Sequence, residues 1–488
     1  MLYPSRRTLL KTAAGLCATP LAAALIPEGG DMRAWAADAG GQTQRFPEGF
    51  LWGVSSSAYQ TEGAAFADGR APSIWDSFAR TPGRIVDGSS GDIACDHYHR
   101  YLEDVALMAR AGIKVFRFSI AWPRIMPQGT GAVNAAGLAF YERLVDALLR
   151  HGIQPWPCLY HWDLPQALQD QGGWLNRATT DAFTDYALVV AGRLGDRVKT
   201  WLMLNEPTVV ALFGHGRGDH APGLRGRSSL FAAIHHQNLA QGKALAALRG
   251  TLARDTQLGT VLCLQPVKPV GDPTTQRGPV HFFDAVWNRA ALDPLLLGRY
   301  PDILGNDLDP YLKPGDLALI RQPIDLLGVN YYSRLHVRKA PGEILDIGFG
   351  PPPEGTPMTG MPWPIEPEGL YEQLLDLRDR YGNPPVFLAE NGADFYDWLG
   401  PEGKVEDGAR IAYIRDHLAA AHRALAAGAN LKGWCVWTLL DNFEWAAGYT
   451  KHFGLVAVDR LSLRRTPKAS YYWYSDVIRR NGVILPAS

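Results

Sequence analysis

Apolar residues recur along the chain in short runs, and the spacing between them changes character from one stretch to the next. From about Phe46 onward, runs of four to six residues rich in Val, Leu, Ile, Phe and Trp read as strands. They fall at 50–54, 115–120, 154–159, 199–204, 257–262, 326–329, 386–389 and 432–436. Between several of them the apolar period lengthens to that of a helix. Leu138, Tyr141, Leu144, Val145, Leu148 and Leu149 share one helical face, and Gly152 stands where a helix should stop.

Strands alternating with helices predict an α/β protein. Eight such runs predict a single (β/α)8 barrel with extended βα loops around its mouth. A doubly wound sheet is the rival, but no early strand is followed by a glycine-rich dinucleotide fingerprint. No internal repeat is evident. The Pro/Gly-rich stretch 340–367 is too long for a simple connection and is expected to be a loop over the barrel mouth rather than a linker between domains.

A barrel gathers the C-terminal ends of its strands around one crater, so polar residues there meet whatever their separation in sequence. Gln60 and Glu62 lie just past the first strand, and Arg117 lies within the second. His161, Trp162 and Asp163 follow the third, Asn205 and Glu206 the fourth, and Asn330, Tyr331 and Tyr332 the sixth. Glu390 follows the seventh, Trp437 ends the eighth, and Glu444 and Trp445 lie beyond it. One glutamate at a strand end reads as solvated surface. Two, with amides, a histidine and tryptophans at the neighbouring ends, read as a site.

Composition sharpens this. The 488 residues are 47% hydrophobic and 20% charged, enough apolar material for a large core. A formal charge of −1 gives no reason to expect nucleic acid or an anionic membrane as partner. Fifteen tryptophans favour a carbohydrate site, because flat apolar rings stack on sugars.

The first forty residues differ from the rest. Ser5-Arg6-Arg7-Thr8-Leu9-Leu10-Lys11 resembles a twin-arginine export signal, followed by an Ala-rich apolar run from Thr12 to Ile26 that is short for a membrane span. Ala34-Trp35-Ala36 offers a cleavage site. Residues 1–37 are therefore expected to be a signal read by the twin-arginine (Tat) machinery, 38–45 a short extension and 46–488 the catalytic domain. The destination is the periplasm or the medium. Cleavage removes four basic and two acidic side chains and moves the formal charge from −1 to −3. Cys95, Cys158, Cys263 and Cys435 remain, scattered without metal-site or disulfide spacing, and are expected to be buried thiols. The run Asp96-His97-Tyr98-His99 has a metal-like look, but a lone HxH before a helix predicts packing at the helix start. No cofactor and no metal are expected.

Paired glutamates at the mouth of a barrel suit glycosidic bond cleavage. That reaction needs a proton donor at the leaving oxygen and a carboxylate below the anomeric carbon, roughly 5–5.5 Å apart in retaining enzymes. Arg117 would favour an ionised neighbour, which suits a nucleophile. Glu206, between Asn205 and Pro207, has no cation adjacent in sequence and is the better acid.

The chain resembles family 1 of the glycoside hydrolases, the β-glucosidase family, from Phe46 to about Val483. "FLWGVSSSAYQTEGA" (50–64), "FRFSIAWPRIMP" (116–127), "YHWDLPQAL" (160–168) and "WLMLNEP" (201–207) carry the likeness. So do "LGVNYYS" (327–333), "LAENGADF" (388–395) and "VWTLLDNFEWAAGYTKHFGL" (436–455). The resemblance implies Glu206 as acid/base and Glu390 as nucleophile. It also implies that Asn205 holds the sugar 2-hydroxyl, that Tyr332 orients the nucleophile and that Arg117 lies beside it. Gln60, His161 and Glu444 match hydrogen-bonding groups of the first sugar subsite. Trp437 matches its stacking platform and Trp445 a further contact, and Trp162, Asn330 and Phe453 fall among the implied substrate-binding positions.

Two positions depart from the family's usual Thr, namely Met203 and Ala389, and a tuning effect is expected of them. The expectation is a retaining exo-acting β-glucosidase for unphosphorylated β-glycosides, with galactosides, fucosides or transglycosylation as alternatives on the same mechanism. A silent sugar-binding homologue would be expected to lose one glutamate, and a cofactor oxidoreductase would need motifs that are missing. The sequence leaves oligomeric state open.

Overall fold

A computed structural model describes residues 42–485. The expected export signal lies outside them. Eight parallel strands close into a barrel: β1 (Leu51–Ser55), β2 (Val115–Ser119), β3 (Gln154–Tyr160), β4 (Thr200–Asn205), β5 (Gln257–Cys263), β6 (Leu326–Asn330), β7 (Val386–Asn391) and β8 (Leu431–Trp437). They pair in chain order, and β8 returns to β1. One main helix follows each: α1 (His97–Ala111), α2 (Ala135–Arg150), α3 (Thr179–Leu194), α4 (Arg227–Thr251), α5 (Pro273–Asp284), α6 (Pro367–Arg380), α7 (Gly408–Ala426) and α8 (Ala469–Arg480). The expected barrel is the observed one.

Strand alternation builds two cores. In β2, Val115 and Arg117 face the barrel axis, while Phe116 and Phe118 face the helices. The inner core is small: Val115, Trp156, Cys158, Leu202, Val261 and Phe387 are among its members. Above this plug lie Arg117, Asn205, Glu206, Asn330 and Glu390, which makes the upper end of the barrel a polar cup.

Residues 42–45 form a strand antiparallel to Gly482–Leu485, so this part of the expected extension belongs to the folded body. The 340–367 stretch is neither a bare loop nor a linker. Ile347–Phe349 pairs with Leu335–Lys339, which in turn pairs with Val267–Pro269, making a three-stranded sheet that caps the β5–β6 side of the mouth. His97 opens α1, and its Nδ1 bonds Asp104 at 2.8 Å, with Arg465 on the same carboxylate. The histidine run is helix-start packing. Among the described residues no group of three or more His, Cys, Asp or Glu is placed to hold a metal.

Candidate active site

Both glutamates reach the cup because their strands break register just before them. In β7, Phe387 and Ala389 point into the barrel, so strict alternation would turn Glu390 toward the helices. Instead the pairing with β6 slips between Leu388 and Glu390, inserting one residue. The same device appears in β4, where pairing with β5 slips between Leu202 and Asn205. Met203 and Leu204 both pack outward, and Asn205 and Glu206 both turn in. A bulge bends the strand and re-aims its side chains. Ser55 satisfies the carbonyl of the β7 bulge, its Oγ donating to Ala389 O at 2.5 Å.

Glu206 then sits at φ +54°, a left-handed conformation that costs a non-glycine residue free energy, with Pro207 opening the helix that follows. Trp162 (φ +80°) and Trp445 (φ +48°) share this strain. Gly392 is required for a different reason. A Cβ there would lie 1.9 Å from Trp437 O, where β7 and β8 converge.

One hydrogen-bond network ties the two carboxyls together. Arg117 Nη1 donates to Glu390 Oε1, and Nη2 donates to Asn205 Oδ1 at 2.6 Å. Asn330 Nδ2 donates to Glu206 Oε1 at 2.7 Å and to Asn205 Oδ1 at 3.1 Å. The bonds therefore run from Glu390 through Arg117, Asn205 and Asn330 to Glu206. Tyr332 Oη donates to the other oxygen of Glu390 at 2.7 Å.

Their surroundings separate them. Burial raises Glu390, but Arg117 and the Tyr332 hydroxyl both pull it back toward ionisation. Burial and the charge of Glu390 push Glu206 up to about 8. Of the two, Glu390 is the one that gives up its proton first and Glu206 the one that keeps it.

Asn205 also fixes a tautomer. Its Oδ1 accepts from Arg117 and Asn330, so its Nδ2 must be the group that donates to His161 Nε2, at 3.0 Å. Burial and Arg117 hold His161 neutral, so its proton resides on Nδ1, which has no partner among the described residues. Trp437 lies 5.9 Å from His161, and Trp445 packs on Trp162 at 4.5 Å. Gln60 Nε2 donates to Glu444 Oε2 at 3.3 Å, and burial pushes Glu444 up to about 8.

The remaining strand-end residues do not join. Glu62 turns away into an ion pair with Arg124 at 3.1 Å. Asp163 is buried beside Arg70, and Tyr331 donates to Glu366 O at 2.7 Å on the far side of the wall.

The chain matches the family profile described as "Glycosyl hydrolase family 1" over residues 42–483. It belongs to that family. Beta-glucosidase A of Acetivibrio thermocellus is 47% identical over 90% of this chain and 99% of its own length. Thermostable beta-glucosidase B of Thermobispora bispora is 49% identical over 92% of this chain and 93% of its own. The solved family 1 β-glucosidase of Thermotoga maritima superposes with a TM-score of 0.87 at 43% identity, covering 91% of this chain and all of that one.

Within this family 1 site, sequence reading missed Trp363. It packs 5.1 Å from Tyr332 and 5.9 Å from Phe453, carried to the mouth by the stretch read as a loop. Only its place in that loop marked it. Ser55 was invisible, because its role depends on a bulge that no alternation pattern reveals.

Proposed function

We propose that this family 1 glycosyl hydrolase is a retaining exo-β-glucosidase acting on unphosphorylated β-glucosides. The observation that carries the proposal is the bonded chain Glu390–Arg117–Asn205–Asn330–Glu206, which sets both carboxyls in one cup and gives the guanidinium to one and a neutral amide to the other. In the first step a Glu390 oxygen attacks the anomeric carbon, and Glu206 gives its proton to the departing glycosidic oxygen. A glycosyl ester remains. In the second step Glu206, now ionised, takes a proton from water as its oxygen attacks the same carbon, which frees Glu390 and returns the proton to Glu206.

Arg117 and Tyr332 hold the nucleophile. Asn205 and the Nδ1 proton of His161 are available to ring hydroxyls, Trp437 offers an apolar face, and Gln60 with Glu444 closes the far end. A carboxyl paired with an amide accommodates hydroxyls and disfavours a phosphate, which supports an unphosphorylated glycone. Trp363 would face the leaving group. Fucosides form a second reading, supported by a 43% identical relative from Bifidobacterium breve described as a bifunctional β-D-glucosidase/β-D-fucosidase.

The test is a panel of nitrophenyl α- and β-glycosides, together with trapping by a 2-deoxy-2-fluoroglucoside. A β-specific rate and a mass label on Glu390 are expected. An α-preference, or a label elsewhere, overturns the assignment. Export by the twin-arginine route is proposed from Arg6-Arg7, and it is supported by four buried, unpaired cysteines that need no oxidising compartment to fold. Replacing both arginines by lysine should abolish secretion, and unchanged secretion refutes the route.

A further inference from the structure

Outside the barrel, a cleft of about 260 Å³ opens between helix α6, the end of α5 with the turns that follow it, and the segment just after β5. Pro266, Val267 and Leu292 give it an apolar strip, and Asp284, Gln373 and Arg289 face it with polar groups. Gln373 is decisive. It is only 4% exposed and borders the cleft, yet its amide makes no hydrogen bond among the described residues. Both ends of that amide are therefore free to meet a molecule in the cleft. Arg289 Nε is buried without a partner among the described residues, and a buried donor costs free energy unless something meets it.

The charges around the cleft narrow what that something is. Each nearby cation is already paired: Arg289 with Asp293 at 2.9 Å, Arg380 with Asp376 at 3.1 Å and Lys268 with Glu372 at 2.9 Å. No positive charge is left for an anion. Asp284 accepts one bond, from Asn288 Nδ2 at 2.8 Å, and keeps acceptor capacity for a donor. The carboxylates are not arranged to hold a metal. Spare acceptors on Asp284, an amide that both donates and accepts, one free guanidinium N–H and an apolar strip match a neutral polyhydroxylated ring. The volume suits one such ring and not a chain.

We propose that this cleft is a second, non-catalytic site for a single monosaccharide, held by Gln373, Asp284 and Arg289. That the occupant is the glucose released by the enzyme rests on the function proposed above; that the cleft takes a neutral polyol does not. The site is linked to the cup through Asn288, whose amide and carbonyl bond the backbone of Gln265, and Gln265 in turn donates to Ser333 O at 2.8 Å.

Equilibrium dialysis of radiolabelled glucose against the full chain, with deoxynojirimycin saturating the catalytic cup, tests this. About one equivalent should still bind, with a dissociation constant on the order of a few millimolar, as expected for so small a ligand. Gln373→Leu and Asp284→Ala should each weaken that binding at least tenfold and leave hydrolysis of nitrophenyl β-glucoside unchanged. Absence of saturable binding, or binding untouched by both variants, overturns the proposal. Spermidine binding in place of glucose, lost in the same variants, overturns the neutral-polyol assignment. Absence of hydrolysis by the unaltered chain would instead refute the proposed activity, and the comparison of variants would still decide the cleft.

Discussion

Glu206 and Glu390 are the same residue type in one cup, and every functional difference between them comes from what touches them. Glu206 has a neutral amide and a nearby negative charge, and Glu390 has a guanidinium and a phenol. A first prediction concerns pH. The acid form of Glu206 is lost as pH rises through about 8, so kcat/KM should fall on an alkaline limb centred near there. Glu206→Gln should remove that limb and lower kcat about 10³-fold on poor leaving groups, far less on nitrophenolates. The same variant bears on stability. Between the ordinary carboxylate range and about 8, folded Glu206 keeps a proton that the unfolded chain has released, so it destabilises the fold progressively as pH rises across that window. Glu206→Gln should therefore raise Tm by roughly 2–5 °C at pH 8 and hardly at pH 4, measured by calorimetry. A gain that is equal at both pH values would contradict this origin.

At the scale of elements, the decisive parts are the two bulges. The eight strands and the helix over 135–150 were legible within a residue or two, because period-2 and period-3.6 patterns survive wherever one face is buried. The bulges were not, since an extra residue leaves composition unchanged and shows itself only in pairing. The positions named for the cup came from their place at strand ends and their roles from motif resemblance, whereas alternation alone would have pointed Glu390 outward. Met203 and Ala389 flank these irregularities on opposite faces, Met203 against the helices and Ala389 in the inner core. Ser55→Ala should test the device. Removing this side-chain donor to the Ala389 carbonyl should cost about 1–3 kcal/mol, and if the bulge relaxes kcat should fall while KM changes little. A loss of stability with kcat intact would assign Ser55 to the fold alone.

For the whole molecule, closure of the barrel explains why so much chemistry is buried without a second domain. The inner plug fills the lower barrel and the sheet containing Ile347–Phe349 walls one side of the mouth. That sheet lay hidden in the sequence because its strands are three to five residues long and interrupted by Pro and Gly. The pairing of Gln42–Arg45 with Gly482–Leu485 also belongs to this scale. A chain beginning at residue 42 should keep full activity and Tm, whereas one beginning at residue 47 should lose several degrees by thermal scanning, as the final strand then has no neighbour.

That pairing has a practical consequence. Phe46 N donates to Asn481 O, and Asn481 Oδ1 accepts from Trp52 at the start of β1, so the paired segments 42–45 and 482–485 lie at the blunt base of the barrel, remote from the catalytic cup. Anchoring a chain that begins at residue 42 to a bead or a fusion partner through either of these segments would leave the opening turned to the bulk solution, free to receive glycosides.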